Sequence, residues 1–274
     1  MKQLCHLLIA GLLPGIFALT AVAQKPIQAL INVENQFATF TSTHSIKEGF
    51  LKYLDSSGVV FNQGKTINGI EYYRKAPDKS PVLFWQPSFS VISASGDLGM
   101  NTGPYTVKSP QKDSVVARGN FSSIWKKNSA GEFKLLIDLG NAYKEPHSPV
   151  TAVKEISLQH SFSNSNYKDA LSLEESINQS ITSNGWNALL PHLHSTAHFN
   201  LPGKQPINDQ KILKETLQKL PLPGTLKVLD GGISKAGDLA YVYGSVASGT
   251  KTGNYLRLWI KENNNWKLIL QTLD

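Results

Sequence analysis

Ser93-Ala94-Ser95-Gly96-Asp97-Leu98 and Ser234-Lys235-Ala236-Gly237-Asp238-Leu239 are two versions of one stretch. The first is followed by Gly103, Gly119-Asn120-Phe121, Ile124-Trp125, Lys127 and Phe133-Lys134-Leu135. The second is followed by Gly244, Gly253-Asn254-Tyr255, Leu258-Trp259, Lys261 and Trp266-Lys267-Leu268. Order and spacing agree within a few residues, so the chain reads as a tandem of two copies of one fold.

Each half has the same plan. In the first, Leu30, Val33, Phe37 and Phe40 recur at the period of one helix face. Ser45-Ile46-Lys47-Glu48 is a capping box that starts a short second helix through Phe50, Leu51 and Leu54. A short strand, Val59-Val60-Phe61, precedes the turn at Asn62 to Gly64, and Asn68 to Glu71 reads as a third helix start. Strands are then expected at Leu83 to Ile92, Asp97 to Val107, Ser114 to Lys127 and Glu132 to Leu139. The second half repeats this, with a capping box at Ser172-Leu173-Glu174-Glu175 and a short helix from Trp186 to Leu190. The strand Ala197-His198-Phe199 follows, then a helix from Asp209 to Leu220 burying Ile212, Leu213, Leu217 and Leu220. Its strands are Thr225 to Ile233, Asp238 to Ala247, Thr252 to Glu262 and Asn265 to Leu273. Helices followed by antiparallel strands imply an α+β fold with helices laid on one face of a curved sheet. The expected units are residues 24–145 and 169–274, joined by a Pro- and Ser-rich linker, 146–168, in which Val150 to Leu158 could form a strand or cover an edge.

Residues 1–23 read as a secretory signal peptide: Lys2, an apolar run from Leu7 to Val22, and Ala21-Val22-Ala23 before Gln24. Export to the periplasm or the medium is therefore expected. Cys5 lies inside that segment, so the remaining 251 of the 274 residues contain no cysteine and stability must come from packing. The formal net charge is +7, or +6 without Lys2, and the lysines are scattered, without a basic run. That pattern is a solvated surface and argues against nucleic acid as a partner. No further segment is long and apolar enough for a membrane helix.

The order of elements, with Gly-Asp-Leu on a hairpin and a Trp-x-Lys strand, resembles the nuclear transport factor 2-like (SnoaL-like) superfamily. The first half is most similar to a bacterial branch known as a domain of unknown function. The words that carry the likeness are Phe50-Leu51-x-Tyr53-Leu54, Val59-Val60-Phe61, Val82 to Gln86, Ala94 to Gly99, Thr102-Gly103-Pro104-Tyr105, Trp125-Lys126 and Leu136 to Gly140. The resemblance implies two cone-shaped domains, each with three amino-terminal helices packed on a curved antiparallel sheet. Members of this superfamily include enzymes, ligand binders and assembly modules, so fold alone does not choose between them. In the ketosteroid isomerases of the superfamily a carboxylate after the short first strand acts as base. Here the corresponding positions are Asn62 and Leu201, and no tyrosine stands in either first helix where the isomerases carry one.

Among residues able to carry chemistry, Asp97 and Asp238 sit in turns where an aspartate ordinarily bonds local backbone. Asp138 interrupts the apolar strand Leu135-Leu136-Ile137 and by alternation shares a face with Leu136. If that face lines a cone, desolvation would raise its pKa and fit it for general-base work. The second half has Gln271 at the same place. Trp85, Tyr105 and Trp125 in the first half, and Tyr241, Tyr243, Arg257 and Trp259 in the second, are candidates for an aromatic pocket wall. His192, His194 and His198 have the even spacing of a zinc site on a strand, but no acidic or cysteine ligand nearby completes it, so no metal and no cofactor is assigned. Three readings stay open: an exported binder of a small apolar or aromatic molecule, a hydrolase, lyase or isomerase with Asp138 as base, and a structural module. For the last, the open faces would pair within the chain or in a homodimer.

Overall fold

The computed structural model describes residues 24–78, 81–110, 114–162 and 164–274. The signal-peptide expectation for residues 1–23 lies outside them. The first half opens with helices α1 (Pro26–Thr43) and α2 (Ile46–Tyr53). Strands β1 (Leu54–Asn62) and β2 (Lys65–Asn68), helix α3 (Gly69–Lys75), and strands β3 (Val82–Trp85), β4 (Phe89–Ile92), β5 (Leu98–Lys108), β6 (Val115–Lys127) and β7 (Phe133–Ala142) complete it. A strand β8 (Lys154–Ser157) follows, inside the expected linker. The second half has α4 (Tyr167–Asn184), a 3-10 turn at Trp186–His192, β9 (Leu193–Asn200), α5 (Gln210–Lys219) and strands β10 (Thr225–Ile233), β11 (Leu239–Ser248), β12 (Lys251–Glu262) and β13 (Asn265–Leu273).

Local chemistry explains most boundaries. Pro26 opens α1, where its fixed φ suits the first turn and its missing N–H leaves no gap. Ser45 accepts the Glu48 amide at the start of α2. In α4 the capping box is Asn166 with Asp169 rather than Ser172 with Glu175, so the helix starts earlier and Glu174 falls on its buried face. On α5, Leu213 and Leu217 are buried, whereas Ile212 is 54% exposed, contrary to expectation.

The sheets run β2-β1-β7-β6-β5-β4-β8, with β3 also paired to β5, and β10-β11-β12-β13-β9. Both are mixed rather than wholly antiparallel: β1 lies parallel to β7, β8 to β4, and β9 to β13. The expected single strand Leu83 to Ile92 is split at Gln86-Pro87-Ser88 into β3 and β4. Proline lacks the N–H that a continuous ladder would need.

One irregularity occurs twice. The β6–β7 register shifts between Ile124 and Trp125, leaving Leu136 unpaired, and the β12–β13 register shifts between Leu258 and Trp259, leaving Ile269 unpaired. Such a bulge bends a strand and re-aims the side chains beyond it. Leu135 packs under the helices, while Leu136 and Ile137 pack on the outer face. Asp138 therefore shares the helix-side face with Leu135, not with Leu136 as plain alternation implies.

The outer faces of the two sheets pack on each other. Seven buried residues of the first (Phe89, Val91, Leu98, Met100, Ile124, Ile137, Leu139) meet seven of the second (Leu239, Tyr243, Leu256, Leu258, Ile260, Ile269, Leu270). The two Gly-Asp hairpins sit at this junction, each turned by a glycine in the left-handed region, Gly96 at φ +63 and Gly237 at φ +70. Ala94 donates its amide to Asp238 Oδ2 at 2.7 Å, Lys235 its amide to Asp97 at 3.3 Å, and Ala236 its amide to Ser95 Oγ at 3.1 Å. The local partners of the turn aspartates are hydroxyls rather than backbone, Ser95 Oγ and Ser234 Oγ at 2.6 Å each, and each carboxylate also accepts an amide hydrogen bond from the other half.

Candidate functional site

On its helix side the first sheet leaves a cavity of about 270 Å³ lined by Glu34, Phe37, Ile46, Phe50, Tyr73, Leu83, Trp85, Tyr105, Phe121, Asp138 and Gly140. Aromatic packing shapes its wall. The Phe37 ring lies 5.0 Å from Phe50 and 4.8 Å from Trp85, both edge-on, an arrangement that aromatic quadrupoles favour.

Glu34 stands in the middle of the apolar stripe of α1, between Leu30 and Phe37, with no exposed surface. Its Oε1 accepts Trp85 Nε1 at 2.7 Å. Its Oε2 accepts Trp125 Nε1 at 2.7 Å, Asn101 Nδ2 at 3.1 Å and Ser123 Oγ at 2.5 Å. All four donors are neutral. Burial pushes the Glu34 pKa up, and these four bonds pull it partly back.

Asp138, on β7, pairs with Ser123 on β6 and lies on the cavity floor. Among the described residues no side chain or amide donates to its carboxylate. It is enclosed by protein yet keeps some surface toward the cavity. Burial first, and the neighbouring Glu34 second, raise its pKa to about 7. Asp138 in turn raises the pKa values of Tyr73 and Tyr105, though burial is the larger cause for both, and both hydroxyls stay protonated. Among the described residues, no lysine or arginine lines the cavity.

The second half shows the same frame with different contents. Trp259 Nε1 donates to Glu174 Oε2 at 3.0 Å, as Trp125 does to Glu34. Where the first half has Ser123 opposite Asp138, the second has Arg257 opposite Gln271. Arg257 is fully buried and fills the space between them: Nη1 donates to Glu174 Oε1 at 2.6 Å and to Asn178 Oδ1 at 2.8 Å, and Nε to Gln271 Oε1 at 2.5 Å. Its guanidinium lies 4.8 Å from the Tyr255 ring centroid, and Tyr255 occupies the place of Phe121.

The structure thus brings together Asp138, Trp85 and Tyr105 of the sequence candidates, and sets Trp125 behind them as a fully buried support for Glu34. The aromatic pocket expected from Tyr241, Tyr243, Arg257 and Trp259 does not form. Across the antiparallel β11–β12 ladder, Tyr241 and Tyr243 pair with Leu258 and Leu256, while Arg257 and Trp259 pair with Val242 and Ala240. Cross-strand partners share a face, so the two tyrosines point to the inter-sheet core and the other two point under α4. Tyr243 packs against Phe61 of the first half at 5.5 Å. Trp259 is core and Arg257 is an internal ion pair.

The three histidines also diverge. His192 ends the 3-10 turn with its ring 6.5 Å from Trp259. His194 contacts Thr196 and Glu262 at 2.8 and 3.2 Å. His198 is buried against Phe89, which with nearby Lys154 lowers its pKa to about 4, burial being the larger cause. A register shift between Leu268 and Leu270 breaks the even alternation of β9. No cluster of three metal-ligating side chains occurs among the described residues. None of the helices there is long and apolar enough to cross a membrane.

Sequence reasoning missed Glu34, Phe37, Tyr73 and Phe121 as site residues. The available signal was Glu34 itself, a carboxylate inside an apolar stripe, repeated by Glu174 in the first helix of the second half.

No protein-family model matches the chain, and a search of curated proteins finds no match. Solved structures of nuclear transport factor 2-like proteins do match it. One from Cytophaga hutchinsonii is 19% identical and covers 39% of this chain and 95% of its own, with a TM-score of 0.33. One from Shewanella oneidensis is 13% identical and covers 39% and 97%, with a TM-score of 0.33. A DUF4783 family protein from Bacteroides uniformis is 14% identical and covers 36% and 94%, with a TM-score of 0.32.

Proposed function

We propose that this chain is an exported binding protein that holds a small, largely apolar or aromatic molecule in its first cone, the ligand's polar end resting at Asp138. One observation carries this reading: the first cone encloses a cavity of about 270 Å³ where the same frame in the second is filled by Arg257. Aromatic walls supply contact area, and the floor carboxylates supply orientation. The second half also carries Leu273 where the first has Gly140 on the cavity wall. A β-carbon added at Gly140 would meet its nearest neighbours at 3.4 Å, so the backbone tolerates a side chain there. Gly140→Leu should therefore fold and fill the cavity. The test is tryptophan fluorescence during titration with a neutral aromatic probe, benzyl alcohol. A response in the wild type that is lost in Gly140→Leu supports the reading; equal responses in both exclude this cavity as the site.

A second reading has its own observation. Asp138 faces the cavity without a hydrogen-bond donor and with a pKa of about 7, which suits a general base near neutral pH. In this reading the bound molecule loses a proton to Asp138, as in a lyase or isomerase. Once a substrate is in hand, an Asp138→Asn variant with an undiminished turnover rate would eliminate it.

A further inference from the structure

The second cone shows what chemistry satisfies this frame. Glu174 and Gln271, at the places of Glu34 and Asp138, are bridged by one guanidinium lying on an aromatic ring. In the first cone Arg257 is replaced by Ser123, which leaves the carboxylate of Asp138 without a donor and the space before it open. Phe121, in the place of Tyr255, presents a ring to the same space. A positive group on a bound molecule would occupy the position that an arginine occupies in the duplicate.

We infer that the first cone selects a small organic cation, a protonated amine or guanidinium carried on an apolar or aromatic body. This deepens the binding reading above and rests on it. The recognition is ionic at one end and apolar at the other. The charged group meets Asp138 and, behind it, Glu34, with no lysine or arginine among the described residues on the wall to compete. The body lies among Phe37, Phe50, Trp85 and Phe121, whose faces also attract a cation. Tyr73 and Tyr105 are the other titratable groups facing Asp138, and both remain neutral in the working pH range. Binding requires Asp138 ionised, so affinity for a permanently charged amine rises as pH is raised from 6 to 8 and the proton on Asp138 is displaced.

The test is a comparison of three near-isosteric probes, benzylamine, benzyl alcohol and benzoate, titrated into the wild-type protein at pH 8 with tryptophan fluorescence as readout. Benzylamine is expected to bind at least tenfold tighter than benzyl alcohol, and benzoate weakest of the three. In Asp138→Asn the ratio of amine to alcohol affinity should fall to near one. Ser123→Arg, which installs the arginine of the second half, should abolish amine binding while the thermal melt shows a folded protein. If the alcohol binds as tightly as the amine, or the ratio is unmoved in Asp138→Asn, the cation inference is overturned and the apolar pocket stands. If no probe binds, both fall.

Discussion

Glu34 and Asp138 share one low-dielectric chamber, and two bare negative charges there are costly. Glu34 carries four neutral donors, so it is the one better prepared to be ionised; Asp138 has none and keeps the proton longer. The pH dependence of stability is a consequence. Below about pH 4 Asp138 is protonated in both the folded and unfolded chain and contributes nothing. Between there and its folded value of about 7 the folded state holds a proton that the unfolded state releases, so stability falls as pH rises. Each unit of that window is worth up to about 1.4 kcal/mol, a few kcal/mol in total. Asp138→Asn removes the titrating group without removing volume. Urea unfolding at pH 4.5 and pH 8 should show the variant gaining on the wild type by a few kcal/mol at the higher pH. An unchanged difference between the two pH values would place Asp138 in water.

At the scale of the element, the hairpin does more than turn the chain. Each copy supplies amides to the other copy's Asp97, Asp238 or Ser95, so the two turns hold each other. Asp238→Ala leaves the Ala94 amide and the Ser234 hydroxyl without their acceptor, and should cost roughly 1–3 kcal/mol in urea unfolding. Asp97→Ala should cost a similar amount. The double variant should lose less than the two losses combined, because separating the turns weakens whatever bond remains; strict additivity would mean the turns act alone. The two hairpins were legible from Ser93 to Leu98 and Ser234 to Leu239, because turn chemistry is local. Most strand positions were legible for the same reason, though not the break at Gln86-Pro87-Ser88 between β3 and β4, and Asp138 was legible as an oddity in an apolar run. What was not legible depends on partners distant in the chain. The bulge at Leu136 is defined only by β6 opposite, and it decides which face Asp138 takes. β8 forms within Val150 to Leu158, the segment read as a strand or an edge cover, but which edge it takes is set by β4, some sixty residues earlier. Tyr241 and Arg257 looked like neighbours, and the ladder register puts them on opposite faces.

For the whole molecule, the sheet-on-sheet core decides how the halves behave together. Each sheet is covered on one face by its own helices and on the other by its partner. Unfolding one half alone would expose the other half's seven buried apolar residues to water. Each such side chain is worth about 1.5–3 kcal/mol when buried, so the coupling is of the same size as the total stability of an ordinary domain. The halves should therefore unfold as one unit although each has its own sheet and its own helices. In calorimetry this means a single peak whose van't Hoff and calorimetric enthalpies agree. Near 60 °C, about 0.7 kcal/mol per residue over roughly 250 residues gives on the order of 170 kcal/mol for that peak. Independent halves would give two peaks, or one broad peak with a van't Hoff enthalpy near half that figure. A destabilising change confined to one half makes the distinction sharper. Trp259→Phe removes the indole N–H that bonds Glu174, and with coupled halves it should move the whole transition to lower temperature without splitting it. A transition that splits, with only one component shifted, would show that the inter-sheet core is too weak to join them.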